Sequence, residues 1–297
     1  MARALTLRAY AKINWSLEVG DVRPDGFHDV RTVLQSIDLA DTIHVSPRRG
    51  PMMVTCDMPH VPAGRENLAW RAASVFWRAL KRAGDPQNTR IAITKKIPVG
   101  AGLGGGSADA AATLVALNHL WGPKWRRPDL VKLAADVGSD VPFFLVGGTA
   151  LALGRGEAIY PLEDTPPHSL IVIKPSIDVA TADAYAWLDR DVRAGGLFFT
   201  TSDELDSLGW PAISLPIRND LQKPVSRQIP VIGEMLEALR RAGTLVASMT
   251  GSGSAVFGVR LPTSRVSDLK TRAQEAGWTV FFTRTLTRRQ AGRFRGL

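Results

Sequence analysis

The chain has 297 residues, 45% of them hydrophobic and 22% charged, with a formal net charge of +9. That length suits two domains rather than one core; no apolar run reaches the ~20 residues that span a bilayer, and Arg3 and Arg8 interrupt what would be the apolar core of a secretory signal. Cys56 is the only cysteine, so no intramolecular disulfide forms and a cytosolic setting is expected, while the scattered histidines offer no zinc spacing.

In chain order, Leu5 to Val19 places Leu5, Leu7, Ala9, Ala11 and Ile13 on one face and predicts a strand. Arg23-Pro24-Asp25-Gly26 predicts a turn, and Val30 to Val45, rich in Val, Ile and Thr, one or two further strands. Glu66 to Ala83 has helical spacing and Gly84 stops it; Arg90 to Ile97 alternates as a strand. Ser107 to Trp121, rich in Ala and Leu, and Pro128 to Val137 predict helices. Phe143 to Leu153 reads as a strand region broken by Gly147 and Gly148. The proline-rich stretch 161–167 is expected to link domains at 1–163 and 164–297. Beyond it, strands are predicted at Leu170 to Lys174, Leu245 to Met249, Ala255 to Arg260 and Trp278 to Thr283. Helices are predicted at Ala180 to Leu188, Pro230 to Gly243 and Ser264 to Gly277, while 190–228 has few clear periods.

Between the Arg90 strand and the Ser107 helix, five glycines fall within seven residues, 100–106. Glycine is costly unless a positive φ or a close backbone approach requires it, and a helix start beyond such a loop is an anion site suited to phosphate. No Gly-Lys-Ser/Thr follows, so it is not a Walker loop. Gly100, Gly102 and Gly105 fit G-x-G-x-x-G, but the acid that a dinucleotide site needs ~20 residues on is missing from Trp121-Gly122-Pro123-Lys124. A protein-kinase loop would sit in a hairpin, whereas this one leads into a helix.

Pro98-Val99-Gly100-Ala101-Gly102-Leu103-Gly104-Gly105-Gly106-Ser107 resembles the ATP loop of the GHMP kinases. Ala11-Lys12-Ile13-Asn14 resembles their N-terminal motif, and Met249-Thr250-Gly251-Ser252-Gly253-Ser254-Ala255-Val256-Phe257 their C-terminal glycine motif. Three motifs in the family's order are far more specific than one. The resemblance implies an α+β, two-domain fold: an N-terminal domain like the second domain of ribosomal protein S5, a ferredoxin-like C-terminal domain, and an active site between them. Arg23-Pro24-Asp25-Gly26-Phe27-His28 is similar to a segment of one branch of the family, as are Asp38 to Ile43, Glu66-Asn67-Leu68, Gly138 to Phe143 and Asn219-Asp220-Leu221. That branch implies an isoprenoid-precursor kinase acting on the C2 hydroxyl of a methylerythritol moiety, with a CDP group as handle.

The resemblance further implies ATP as co-substrate, with Mg²⁺, on Asn67, Pro98, Val99, Gly100, Ala101, Gly102, Leu103, Gly104, Gly105, Gly106, Ser107 and Ala108. It implies Lys12 and Asp140 as the catalytic pair, and Asn14, Phe27, His28, Tyr185, Gly251 and Ser252 as acceptor contacts. Phe27 stands where the family usually has Tyr, and so lacks any bond the hydroxyl would make. From the residues alone, plainer readings stand beside these. Phe27 and Tyr185 suit core packing, Lys12 and Asp140 a structural ion pair or two snorkelling charges, and Ser107 an N-cap. Mg²⁺ usually keeps several waters, which leaves its ligands unassigned.

Phosphoryl transfer asks mainly for positioning and charge neutralisation. Asp140 is therefore expected to orient the hydroxyl and take its proton late, with Lys12 stabilising the alkoxide and the transferred group. One rival is a GHMP kinase for another acceptor, disfavoured by 23–28. The other is a basic nucleic-acid-binding relative, suggested by five arginines in the last 14 residues but opposed by intact Lys12 and Asp140. A small-molecule acceptor, no nucleic acid, no membrane, and a monomer or weak homodimer are expected.

Overall fold

A computed structural model describes residues 4–192 and 217–292. Its largest element is a hairpin of two long strands, β1 (Leu5–Val22) and β2 (His28–Pro51), paired antiparallel from Leu5↔Val45 to Val22↔His28. The Arg23–Gly26 turn closes it, with Gly26 N donating to Arg23 O at 3.0 Å. The predicted alternation holds, since Leu5, Leu7, Ala9, Ala11 and Ile13 are all buried. β3 (Met53–Cys56) and β4 (Gln87–Thr94) extend the sheet beyond β2. Helices α1 (Leu68–Ala79), α2 (Gly105–Leu120) and α3 (Arg127–Ala135) join this sheet in one core cluster. α2 is buried from Ala108 to Asn118, as its lack of a polar stripe demands.

The strand expected over 143–153 is two elements. Residues 141–146 form the helix α4 (Val141–Val146), and only β5 (Thr149–Leu153) is a strand. A short apolar run has the same hydropathy in a buried helix as in a buried strand. Here Pro142 suits a first helical turn, and Gly147, at φ 69°, ends it. β3 gave no periodic signal. β6 (Ala158–Pro161) takes the first residue of the proline-rich stretch into the sheet beside β5.

The second sheet contains β7 (Ser169–Lys174), β9 (Ala247–Met249), β10 (Val256–Val259) and β11 (Thr279–Arg284) in the order β11-β7-β10-β9, all neighbours antiparallel. That is the ferredoxin-like split-βαβ order. α5 (Thr181–Val192), α6 (Gln222–Gln228), α7 (Val231–Arg241) and α8 (Val266–Glu275) accompany it. Between α5 and α6, β8 (Arg218–Asn219) adds to β1 in parallel, so the later half of the chain reaches back into the first sheet. Most of the aperiodic stretch 190–228 lies outside the described residues.

A third core cluster joins the halves: Ala11, Ile13, Ile97 and Leu103 pack with Leu170, Val172, Ala255 and Phe257. The chain end adds a short helix, α9 (Arg288–Ala291), where Arg288 donates to Thr149 O and Leu162 O at 2.9 and 2.6 Å. Arg284 lies 3.5 Å from Asp38. Two of the five tail arginines thus fasten the C-terminus to the first half, while Arg293 and Arg295 lie outside the described residues.

Candidate active site

The three motifs, spread along the chain from Ala11 to Phe257, meet at one point. Lys12 N donates to Leu103 O at 3.0 Å, binding β1 to the glycine loop. Ala255 N and Ser254 N donate to Ala101 O and Gly100 O, both at 3.3 Å, binding the loop to the C-terminal motif. Thr250, wholly buried, is the knot: its hydroxyl accepts from Asn14 N at 3.1 Å and lies 3.2 Å from Asn14 Oδ1 and 3.3 Å from Gly102 O. Asn219 steadies the knot from β8, donating to Met249 O and Gly251 O at 2.8 and 2.9 Å. Sequence reasoning placed both in motifs but gave neither a role, because a buried Thr or Asn shows its role only through partners far along the chain.

Lys12 sits inside β1, beside a register shift between Tyr10 and Lys12. The one hydrogen bond its ammonium makes among the described residues goes to Asn14 Oδ1 at 2.7 Å. Asp140 Oδ2 lies 3.7 Å away, an ion pair without hydrogen-bond contact. Burial holds the lysine below its ordinary range, and the nearby Asp140 charge offsets this only in part. Asp140 immediately precedes α4, and its side chain is 40% exposed towards the cavity it helps to line. An ammonium has three donors, so Lys12 keeps hydrogen-bonding capacity for a group arriving beside Asp140.

That cavity measures about 660 Å³. Lys12, Asn14, Asp140, Ser107, Gly251 and Ser252 line it together with Phe27, His28, Tyr185 and Asp189. His28 stacks on Tyr185 with ring centroids 5.2 Å apart and planes 26° apart. Its Nδ1 faces Gly20 O at 3.0 Å and its Nε2 faces Asp189 Oδ1 at 3.2 Å. Burial, with the Asp140 charge behind it, pushes the Tyr185 phenol up to about 12, so it stays neutral. Phe27, by contrast, is 53% exposed at the hairpin tip. Exposed aromatic carbon at a cavity mouth is poor core packing and a good platform for a planar ring.

A second cavity, of about 320 Å³, runs along the glycine loop and includes His60, Asn67, Lys95 and residues 98–107. Gly104, at φ 71°, caps α2, and a Cβ there would lie 2.6 Å from the Phe144 ring and 3.2 Å from Lys12 Cγ. Because Gly104 is the cap, Ser107 lies inside the helix rather than at its N-cap, and it lines both cavities. The first N–H groups of α2 have no acceptor within the helix, which equips the loop for phosphate. Asn67 caps α1, accepting from Ala69 N and donating to Pro62 O. Ala108, expected among the ATP contacts, is instead 2% exposed and packs in the first core cluster.

The family model described as GHMP kinases N terminal domain matches residues 67–148, and the one described as GHMP kinases C terminal matches residues 204–277. The chain belongs to the GHMP kinase family. It is 41% identical over 277 residues to 4-diphosphocytidyl-2-C-methyl-D-erythritol kinase from Synechococcus sp. (strain JA-3-3Ab), with 90% of this chain and 89% of that protein covered. The protein of the same name from Geobacter metallireducens is 42% identical, with 86% and 89% covered. Among solved structures, a 4-(cytidine 5'-diphospho)-2C-methyl-D-erythritol kinase superposes with a TM-score of 0.74 at 35% identity, covering 95% of this chain and 99% of that one. Homoserine kinase from Cytophaga hutchinsonii, at 20% identity and a TM-score of 0.68 with 97% and 96% covered, shares the fold.

This GHMP kinase is therefore a small-molecule kinase, and ATP is the family's co-substrate. No helix among the described residues is long and apolar enough to cross a membrane. One charged cluster beside its glycine loop escaped the sequence reading. Lys95 Nζ donates to Asp41 Oδ2 at 2.5 Å and Asp109 Oδ2 at 2.9 Å, and Asp41 Oδ1 accepts from Lys96 N and Ile97 N at 2.6 and 2.8 Å. The three charges are 54 and 14 residues apart along the chain, and no local pattern links them.

Proposed function

We propose that this GHMP kinase transfers the γ-phosphoryl group of ATP to the C2 hydroxyl of 4-diphosphocytidyl-2-C-methyl-D-erythritol, in the cytosol, within non-mevalonate isoprenoid precursor synthesis. The observation that carries the reading is one cavity of about 660 Å³ whose lining brings the aromatic side chains Phe27, His28 and Tyr185 together with Lys12 and Asp140. A compact acceptor such as mevalonate or homoserine would give the aromatic residues nothing to hold. Phe27 and Tyr185 would hold the cytosine, with His28 at its edge, and Asn14, Gly251 and Ser252 would hold the polyol. The glycine loop, Ser107 and Asn67 would hold ATP. Residues 1–163 and 164–297 would act as the two halves of one monomer or weak homodimer.

In the reaction, the acceptor oxygen forms a bond to the γ-phosphorus as the bond to the ADP oxygen breaks. Asp140 orients the hydroxyl and takes its proton late, a role that suits a carboxylate beside an ammonium. Lys12 spends its remaining donors on the alkoxide and the transferring phosphoryl, where charge neutralisation matters most. Mg²⁺ is expected with ATP and would neutralise phosphate charge. Among the described residues no three His, Cys, Asp or Glu groups converge on one point. The ion would then be held chiefly by phosphate oxygens and water.

The test is coupled ADP release with the cytidine-linked polyol beside mevalonate and homoserine. Only the first should support turnover; comparable kcat/KM with either other acceptor would sink the assignment.

A further inference from the structure

The β5–β6 turn carries one cation into the acceptor cavity. Gly154 and Gly156, at φ 72° and 103°, let residues 154–157 turn tightly, and Arg155 between them lines the cavity. Its guanidinium carbon lies 5.3 Å from the centroid of the Phe27 ring. Glu157 sits behind it, with Oε2 accepting from Arg155 N at 2.7 Å and Oε1 3.6 Å from Arg155 Nε. That second distance is too long for a hydrogen bond, and the arginine side chain stays 36% exposed. The next residue turns towards the chemistry, since a Cβ on Gly156 would lie 3.9 Å from Asp140 Oδ1.

The cavity's other cationic groups have their own places. Lys12, bound to Asn14 beside Asp140, keeps its spare donors for the reacting group, and His28 lies between Gly20 O and Asp189. Arg155 is the only guanidinium among the described residues that line the cavity. An acceptor with a nucleoside at one end and a reacting hydroxyl at the other must lay its diphosphate across the middle. Arg155 lies against the Phe27 ring, and the residue after it, Gly156, lies beside Asp140, so this turn connects the ring to the reacting group. A guanidinium is also the side chain best matched to phosphate oxygens, which it binds through two parallel donors.

We propose that Arg155 is the cation that binds the diphosphate of the acceptor, while stacking on Phe27 to hold the nucleoside end in place. The inference rests on the acceptor reading above. It makes Arg155 a specificity residue, rewarding a nucleoside diphosphate over a nucleoside.

Isothermal titration of the whole protein with CDP and with cytidine, at fixed ionic strength, tests it. Wild type should bind CDP far more tightly than cytidine. Arg155→Ala should lower CDP affinity about ten- to a hundredfold, as expected for loss of a charge-assisted bond, and lower cytidine affinity far less, by the lost support to Phe27 alone. Arg155→Lys should fall between the two, and it serves as the folded reference if the alanine variant is unstable. In turnover the loss should appear in KM for the acceptor, with KM for ATP held. An unchanged preference for CDP in Arg155→Ala would overturn the proposal. So would an equal loss for CDP and cytidine, which would make Arg155 a support for Phe27 alone. A wild-type protein that binds neither CDP nor cytidine would overturn the acceptor assignment itself, and the inference with it. Normal CDP binding with an indifferent Arg155 would leave that assignment standing.

Discussion

Lys12 and Lys95 flank the glycine loop, and their side chains are almost equally buried, at 5% and 4% exposure. Their surroundings differ. Lys95 donates to two carboxylates, Asp41 and Asp109, themselves no more than 5% exposed. Burial opposes its charge, but the two carboxylates together outweigh burial and raise it above the ordinary lysine value. Lys12 has one neutral acceptor, Asn14, and one half-exposed carboxylate at 3.7 Å. There burial wins, and the lysine is held below its ordinary value. The Lys95 cluster is closed: Asp41 also takes two backbone N–H groups, pinning the entrance of the loop, while Asp109 belongs to the first turns of α2. Lys12 is left open, with donors unspent and a cavity in front of it. A buried ammonium with unspent donors pays for its desolvation only when a second anion arrives, and that is what a phosphoryl group in transfer provides.

The largest expected effect follows from the open lysine. Lys12→Met and Asp140→Asn should each lower kcat at least about a hundred- to a thousandfold, the range for removing one preorganised electrostatic group. On the proposed mechanism the pair acts as one unit, so the double variant should be little worse than either single. Stability should hardly change. Asn14 Oδ1 still has the Thr250 hydroxyl at 3.2 Å, and Asp140 is exposed enough to stay hydrated. A lysine held below its ordinary value costs stability while charged, so the methionine variant should melt no lower than wild type. Single-turnover kinetics beside thermal melts check both halves. A large fall in melting temperature with near-normal kcat would make the two lysines alike and remove the contrast.

Lys95→Met should do the opposite. It strands two buried carboxylates, for which breaking a buried ion pair suggests about 3–5 kcal/mol of lost stability. Chemical denaturation should show that loss. The folded fraction should keep much of its kcat, with its weakness in KM for ATP, since the cluster fastens the loop and touches no reacting atom. A variant as stable as wild type would show that Lys95 contributes little to the fold.

The sequence exposed the two regions very unequally. The open site was legible because its parts are local: Lys12 stands within the short Ala-Lys-Ile-Asn motif, and five glycines within seven residues at the start of a helix have few other uses. The three motifs also kept the family's order. The closed cluster was illegible because Asp41, Lys95 and Asp109 are ordinary charges in three separate elements until the sheet assembles them. The fold followed the same division. The strand β1 carries a period of two, and α2 a run of alanines and leucines whose composition favours a helix. The strand expectation over Phe143 to Leu153 fails in its first residues, which belong to the helix Val141–Val146, because periodicity is silent where no face is polar. Arg155 was passed over for a third reason. It sits in a turn, and a turn residue's partners depend on where the fold delivers the turn.

The smallest effect concerns the charge inside the closed cluster. Burial pushes the Asp109 carboxyl up to about 8; Lys95 works against this, and the Asp41 carboxylate adds to it. Its Oδ1 is buried without a hydrogen-bond partner, an arrangement that a protonated carboxyl tolerates better than an anion. The folded protein then keeps a proton that the unfolded chain releases near pH ~4. Between that value and about 8, the native state binds more protons than the unfolded state, so this group's contribution to stability falls as pH rises. Asp109→Asn imitates the protonated form and does not titrate; its carboxamide oxygen can still accept from Lys95. Urea unfolding at pH 6, 7 and 8 should show the asparagine variant gaining on wild type at each step, by at most about 1.4 kcal/mol per pH unit for one proton. All other titrating groups are common to both proteins and cancel in the difference. A difference that stays constant with pH would mean that both carboxylates are ionised beside Lys95. The cluster would then carry a net negative charge next to the phosphate loop, hindering ATP, whereas one proton shared with Asp109 leaves it neutral and the loop free to receive an anion.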